Sequence, residues 1–156
     1  MHGAGTKQGI TINSGQTRCL DLTRLVSRAG RRMPGVARVE MAYLTQLLQL
    51  DGPLFGLVRT SLGYVLLERM GVAALEGCLA KGNWPARELL SRFTNRAAPT
   101  RQQAESLVRR HALARCRPQG LARMIAAHIP EGASYLNVGH ANLTRWSSKR
   151  AILARE

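Results

Sequence analysis

The residues best suited to acid–base chemistry follow the last predicted strand of the chain. Residues 133–138 read as a short strand, and His140 and Asn142 come directly after it. A histidine can serve as acid, base or hydrogen-bond donor near neutral pH, and both side chains could point into the same crevice. We therefore take His140 as the candidate catalytic residue and Asn142 as its neighbour in a candidate cleft. The alternative is a histidine that is bonded to a nearby backbone group.

A second candidate segment, Pro34-Gly35-Val36-Ala37-Arg38, connects the first predicted strand to the helix after it. In open parallel α/β sheets, ligands bind outside the carboxyl ends of the strands, close to helix N-termini. Gly35 would let a ligand approach the backbone there, and a helix N-terminus favours anions. The alternative is a glycine that serves only the turn.

The acidic residues are isolated from one another in the sequence and form no close catalytic pair. No dinucleotide-binding, P-loop, zinc-protease or nucleophile-elbow motif is present. Asp21, on the first predicted strand, is the best single carboxylate candidate, and a strand-end hydrogen bond is its alternative role. The sequence therefore indicates no self-contained hydrolytic site.

The chain has three cysteines, Cys19, Cys78 and Cys116, without any CxxC spacing. An odd number of dispersed cysteines favours reduced thiols over a disulfide framework. A structural zinc site needs about four ligands at short paired spacings. We therefore expect neither a metal nor another cofactor.

The formal net charge of +14 attracts phosphate-bearing partners. Arginine dominates the basic residues, which a GC-rich coding bias would also produce. The arginines are spread along the chain and not packed into one tract, so we expect at most weak, non-specific nucleic-acid binding.

No stretch of about 18 apolar residues and no apolar signal segment occurs. These features predict a cytoplasmic protein without a membrane span.

Predicted strands and helices alternate along the chain, which indicates an α/β fold. We expect a partial Rossmann-like domain with a short parallel sheet flanked by helices, preceded by a disordered leader over residues 1–17. In the helix predicted for residues 36–50, Val36, Val39 and Tyr43 share one apolar face with later leucines. The predicted strands are 19–25, 54–60, 61–67 and 133–138, and the predicted helices are 36–50, 68–80, 84–93, 100–115, 121–129 and 142–156.

Three segments resemble a known enzyme group. RCLDLTRLVSRAGRRMPGVARVEMAYLTQLL is similar to the opening of bacterial retaining glycosyltransferases of the two-Rossmann-domain (GT-B) type. PLFGLVRTSLGYVLLERMG is similar to their second strand and its continuation, and ASYLNVGHANLT to their third strand and its loop. The resemblance runs from about Arg18 to Thr144.

The resemblance implies that this chain is the acceptor-side domain, because in that group the second domain binds the nucleotide-sugar donor. Gly35, Val36 and Arg38 match the loop that lines the cleft between the domains, and His140 and Asn142 match a loop at the same strand ends. The chain departs from the pattern after Thr144, and Met-Pro-Gly stands where the group has Thr-Gly.

Because members of the group are several hundred residues long, we expect residues 18–156 to form a single, truncated domain. Without the donor-binding domain this fragment would be inactive alone and would meet a nucleotide sugar only through that domain. One alternative is a non-catalytic subunit that pairs with a separate catalytic chain. Another is a basic nucleic-acid-binding module, for which SLVRRHALARCRPQGLARMI could supply two helices around a turn. The low aromatic content of 4% argues against that module.

Overall fold

The computed structural model describes residues 15–89, 98–138 and 142–145, the last of these by backbone alone. Its strands are β1 (Arg18–Asp21), β2 (Leu54–Thr60), β3 (Gly63–Glu68), β4 (Ala112–Cys116), β5 (Ser134–Asn137) and β6 (Asn142–Arg145). Its helices are α1 (Thr23–Ser27), α2 (Gly35–Gln49), α3 (Arg69–Lys81), α4 (Pro99–Arg110) and α5 (Leu121–His128).

All six strands belong to one sheet, in the order β4-β3-β2-β1-β5-β6. The two neighbours of β1, which are β2 and β5, both pair with it in parallel. The other pairings, β2 with β3, β3 with β4 and β5 with β6, are antiparallel. The predicted α/β class with helices flanking the sheet is therefore confirmed, and the parallel pairing is confined to the three central strands. Only two residues, Ser61 and Leu62, join β2 to β3, and so short a connection can form only an antiparallel hairpin.

The sheet divides the apolar core into two clusters. One cluster joins a face of the sheet to α1, α2, α3 and α4, with fully buried residues such as Leu44, Val72 and Val108. The second cluster joins the opposite face to α5 through Leu121 and Ile125. Within the described residues no helix is long and apolar enough to cross a membrane.

The buried face of α2 differs in part from the predicted one. Val36, Val39 and Tyr43 are 48%, 52% and 45% exposed, whereas Leu44 is fully buried. Of the later leucines on the predicted face, Leu47 is buried. Successive helical residues are separated by about 100°, so the helix is turned by roughly one residue from the orientation we expected. The buried stripe also contains Glu40. Because charged residues are rarely buried, the sequence pattern did not indicate that this stripe faces the core.

The end of α4 is a second correction. The predicted helix over residues 100–115 ends at Arg110, and residues 112–116 form β4 instead. Every second residue of β4 is exposed, and the strand pairs with β3 from Tyr64 to Leu67. This ladder satisfies the backbone groups of β4 through partners more than 40 positions earlier in the chain, which local helical periodicity cannot reveal.

Three further boundaries also differ from the predictions. The first strand ends at Asp21 and is followed by α1, whereas we expected a strand to residue 25. Residues 82–88 contain no helix, and residues 90–93 of the helix predicted for 84–93 lie outside the described residues. Residues 142–145 form β6 and not the start of a helix capped by Asn142. The antiparallel pairing of β6 with β5 supplies hydrogen bonds that a helix would have made locally.

Arg69 fixes the end of α2 where it leads into β2. Its Nη1 donates to the Leu48 carbonyl at 2.9 Å, and its Nη2 donates to the carbonyls of Leu50 and Gly52, each at 2.7 Å. A cationic side chain that satisfies the last carbonyls of a helix stabilises its C-terminus. Part of the arginine content of the chain therefore serves the fold.

Residues at the end of the expected leader take part in the fold. Gln16 donates from Nε2 to the Ser134 hydroxyl at 2.7 Å, and the backbone N–H of Ser134 donates to the Thr17 carbonyl. Both contacts hold the chain entering β1 against β5. Residues 1–14 lie outside the described residues.

Candidate functional site

The carboxyl ends of the parallel strands β1, β2 and β5 lie at one edge of the sheet. Because β2 is parallel to β1, α2 must carry the chain back from this edge to the start of β2. The N-terminal turn of α2, with Gly35, Val36 and Arg38, therefore lies on the carboxyl side of the sheet, where ligands bind in open α/β folds. All three residues are exposed.

Turn geometry does not require a glycine at position 35. Gly35 is absent from the glycines with positive φ, and a Cβ added there would meet no atom within 4 Å. No described residue therefore packs against the Cβ position of Gly35 at the start of α2. Neither turn geometry nor packing against described residues therefore requires a glycine here, and the ligand-approach role stays a prediction.

Asp21 ends β1 with both of its carboxylate oxygens engaged. Oδ1 accepts a hydrogen bond from the Thr23 backbone N–H at 2.9 Å, and Oδ2 accepts one from the Tyr135 hydroxyl at 2.5 Å. Asp21 therefore ties the end of β1 to both α1 and β5. The structure favours the strand-end hydrogen-bonding role that was the alternative to a catalytic one.

Two groups near Asp21, the half-buried Tyr135 and the buried Cys19, are held in their neutral forms. Burial raises the pKa of Tyr135, and the negative charge of Asp21 raises it further. Burial, with a smaller contribution from Asp21, also raises the pKa of the Cys19 thiol. A buried thiol with a raised pKa is inert, so Cys19 is a core residue and not a nucleophile.

Glu40 is a buried carboxyl group that sequence reasoning missed. The residue is 6% exposed, its Oε1 lies 3.8 Å from Arg24 Nε, and its Oε2 has no hydrogen-bond partner among the described residues. Burial raises the pKa of Glu40, nearby Arg24 opposes this shift, and Asp21 adds to it. The available signal was spacing, since Glu40 lies between Ala37 and Leu44 at helical intervals.

A groove of about 770 Å³ opens beside α1, on the face of the sheet that α1, α2, α3 and α4 cover. We call it the basic groove. Three segments that are distant in sequence form it: the loop between α1 and α2, the end of α3 with the residues after it, and the first turns of α4. Its polar and aromatic lining includes Arg28, Arg31, Arg32, Asn83, Trp84 and Thr100.

The shape of the basic groove depends on Gly30. This residue has a φ of 78°, which favours glycine, and a Cβ at this position would lie 2.5 Å from Thr100 Cβ. The loop therefore packs tightly on the first turn of α4. Sequence patterns could not reveal that Asn83, Trp84 and Thr100 lie beside this loop, because only packing brings those segments together.

The remaining predicted site residues are less defined. Asn142 opens β6 and pairs with Asn137 at the carboxyl end of β5, and its side chain is not described. His140 lies outside the described residues. In the described part of the chain, no three histidine, cysteine, aspartate or glutamate side chains lie close enough together to hold a metal ion.

A scan against protein-family models and searches of curated proteins and solved structures found no match to this chain.

Proposed function

We propose that this chain is the acceptor-side domain of a bacterial retaining glycosyltransferase of the GT-B type. The observation that carries the proposal is where the three resembling segments lie in the fold. They correspond to β1 through α2, to β2 and β3 with the start of α3, and to β5 with β6, which include all three parallel strands. The residues matched to the cleft therefore follow carboxyl ends of neighbouring parallel strands.

The proposed role of this domain is to hold and orient the acceptor. Gly35 leaves the backbone at the start of α2 accessible, exposed Val36 offers an apolar contact, and exposed Arg38 offers a cationic donor. In this proposal His140 and Asn142 complete the acceptor contacts from the β5–β6 side. A donor-binding domain supplies the nucleotide sugar, and the rate gain comes from holding the two reactants together in the reactive geometry.

The test is an NMR titration of the ¹⁵N-labelled chain with a panel of neutral mono- and oligosaccharides. We expect an acceptor sugar to shift the amide signals of Gly35 and Val36, and Arg38→Ala to weaken that binding. Arg123→Ala is the matched control, because Arg123 is an exposed arginine on α5. The proposal is wrong if no sugar in the panel perturbs these amides, or if the control weakens binding as much as Arg38→Ala does.

The structure weakens the nucleic-acid alternative. In the segment that could supply two helices around a turn, β4 separates α4 from α5, so the arrangement is helix–strand–helix. Arg109 of that segment is 5% exposed and pairs with Glu88 and Glu105, so it cannot contact phosphates. This segment therefore does not have the geometry of a DNA-reading helix pair.

A further inference from the structure

We propose that the basic groove is a binding site for a phosphate-bearing small molecule. Three arginines, Arg28, Arg31 and Arg32, line one concave surface. Arginine presents a planar fork of donors that matches phosphate oxygens, and such charge-assisted pairs are among the strongest hydrogen bonds in proteins. This site does not depend on the glycosyltransferase proposal.

No acidic side chain lines the groove in the described part of the chain, although Arg28 interacts electrostatically with buried Glu40 and lowers its pKa. Every aspartate and glutamate except Glu156 lies within the described residues, and none of them lines the groove. None of the ion pairs among the described residues includes Arg28, Arg31 or Arg32. Three cations in one groove repel each other, and a bound anion would relieve that repulsion.

Other arginines of the protein contrast with those of the groove. Arg69 satisfies three backbone carbonyls, and Arg109 is buried against two glutamates. These side chains stabilise the fold. The side chains of Arg28, Arg31 and Arg32 are exposed and make no such hydrogen bonds or ion pairs with described residues, which leaves their donors accessible to a ligand.

The groove also has the size and wall chemistry of a small-ligand site. Its volume of about 770 Å³ lies within the range of about 300–1,000 Å³ that is usual for ligand pockets. Trp84 gives an aromatic wall, and Asn83 and Thr100 give neutral polar groups suited to hydroxyls. A phosphate monoester on a ring or polyhydroxylated body fits this combination better than a duplex, which needs a long, exposed basic surface.

The close packing of Gly30 on Thr100 indicates that the groove is built before any ligand binds. A preorganised site avoids the entropy of ordering a loop on binding. Gly30→Ala changes no charge, but its Cβ must displace either the loop or Thr100. This substitution therefore tests the shape of the groove separately from its charge.

The experiment measures the binding of four probes to the whole chain by isothermal titration calorimetry or vesicle co-sedimentation. The probes are inorganic phosphate, glucose 1-phosphate, phosphatidylcholine vesicles with phosphatidylinositol phosphate, and a short DNA duplex. The groove variant is Arg31→Gln/Arg32→Gln. The control, Arg115→Gln/Arg123→Gln, removes the same charge from exposed positions on β4 and α5.

We expect a phosphate ester to bind and the groove variant to weaken that binding by about tenfold or more, while the control changes it little. Gly30→Ala, verified as folded by circular dichroism, should also weaken binding. If the groove variant loses the binding of glucose 1-phosphate, the ligand is a soluble phosphate ester. If the groove variant loses only the binding of vesicles, the ligand is a lipid headgroup. A neutral sugar that shifts the signals of Gly35 while no phosphate ester binds would support the glycosyltransferase proposal and overturn this one.

Two other results would also overturn the groove proposal. The first is an equal loss of binding in the groove and control variants, which would indicate non-specific charge attraction. The second is tighter binding of the duplex than of any small phosphate, with no dependence on the groove residues. That second result would favour a nucleic-acid partner.

Discussion

The substitution Glu105→Ala should destabilise the protein more than any change to a surface carboxylate. Glu105 is 1% exposed, and its Oε2 accepts hydrogen bonds from the Ser61 backbone N–H at 3.2 Å and the Ser61 hydroxyl at 2.5 Å. Its Oε1 accepts from Arg101 Nε at 3.1 Å, and Arg109 Nη1 lies 3.5 Å from Oε2. One carboxylate thus ties the turn between β2 and β3 to α4.

The expected magnitude follows from what the substitution leaves behind. Arg109 has a side chain only 3% exposed and would retain Glu88 as its ion-pair partner, at 3.1 Å. Removing one member of a buried ion pair costs about 3–5 kcal/mol, because the other charge stays buried with less compensation. This is a large part of the roughly 5–15 kcal/mol that stabilises a typical domain. Glu105→Gln keeps an acceptor for Ser61 and should cost less, about 1–3 kcal/mol.

The assay is urea unfolding followed by tryptophan fluorescence and circular dichroism. Glu68→Ala is the control, since Glu68 is exposed. In a double-mutant cycle with Arg109→Ala, the double variant should lose less stability than the sum of the single losses, by about 0.5–3 kcal/mol. Should Glu105→Ala cost less than about 0.5 kcal/mol, or the cycle be additive, the network would not stabilise the fold as argued.

Two further predictions concern α2. Val39→Ser should change the free energy of unfolding by less than about 0.5 kcal/mol because Val39 is exposed, whereas Leu44→Ala should cost about 2–5 kcal/mol in urea unfolding; equal losses would contradict the observed helix orientation. Because burial raises the pKa of Glu40 above its ordinary 4.5, the folded protein binds this proton more tightly than the unfolded chain does. Stability of the wild type relative to Glu40→Gln should therefore fall as the pH rises above about 4.5 and level off beyond the raised pKa. Urea midpoints across this pH range measure the effect, and a relative gain in stability with pH would refute it.

Local sequence patterns determined the fold class and several elements of this protein. The apolar run 54–60 between turn residues predicted β2, and the Asp-Gly-Pro stop predicted the end of α2 to within one residue. Such features depend on neighbouring residues, through glycine and proline geometry and through apolar periodicity.

Tertiary structure alone decided which surfaces these elements present. Val36, Val39 and Tyr43 form as regular an apolar stripe as the one that is buried, and only packing against α3 and the sheet selects the stripe with Leu44. Likewise, residues 112–116 continue a helical pattern, but the backbone hydrogen bonds offered by β3 make them a strand. The basic groove combines segments about 50 and 70 residues apart, whose proximity is a property of the folded chain. Sequence periodicity describes one element at a time, whereas burial and site formation depend on contacts between elements.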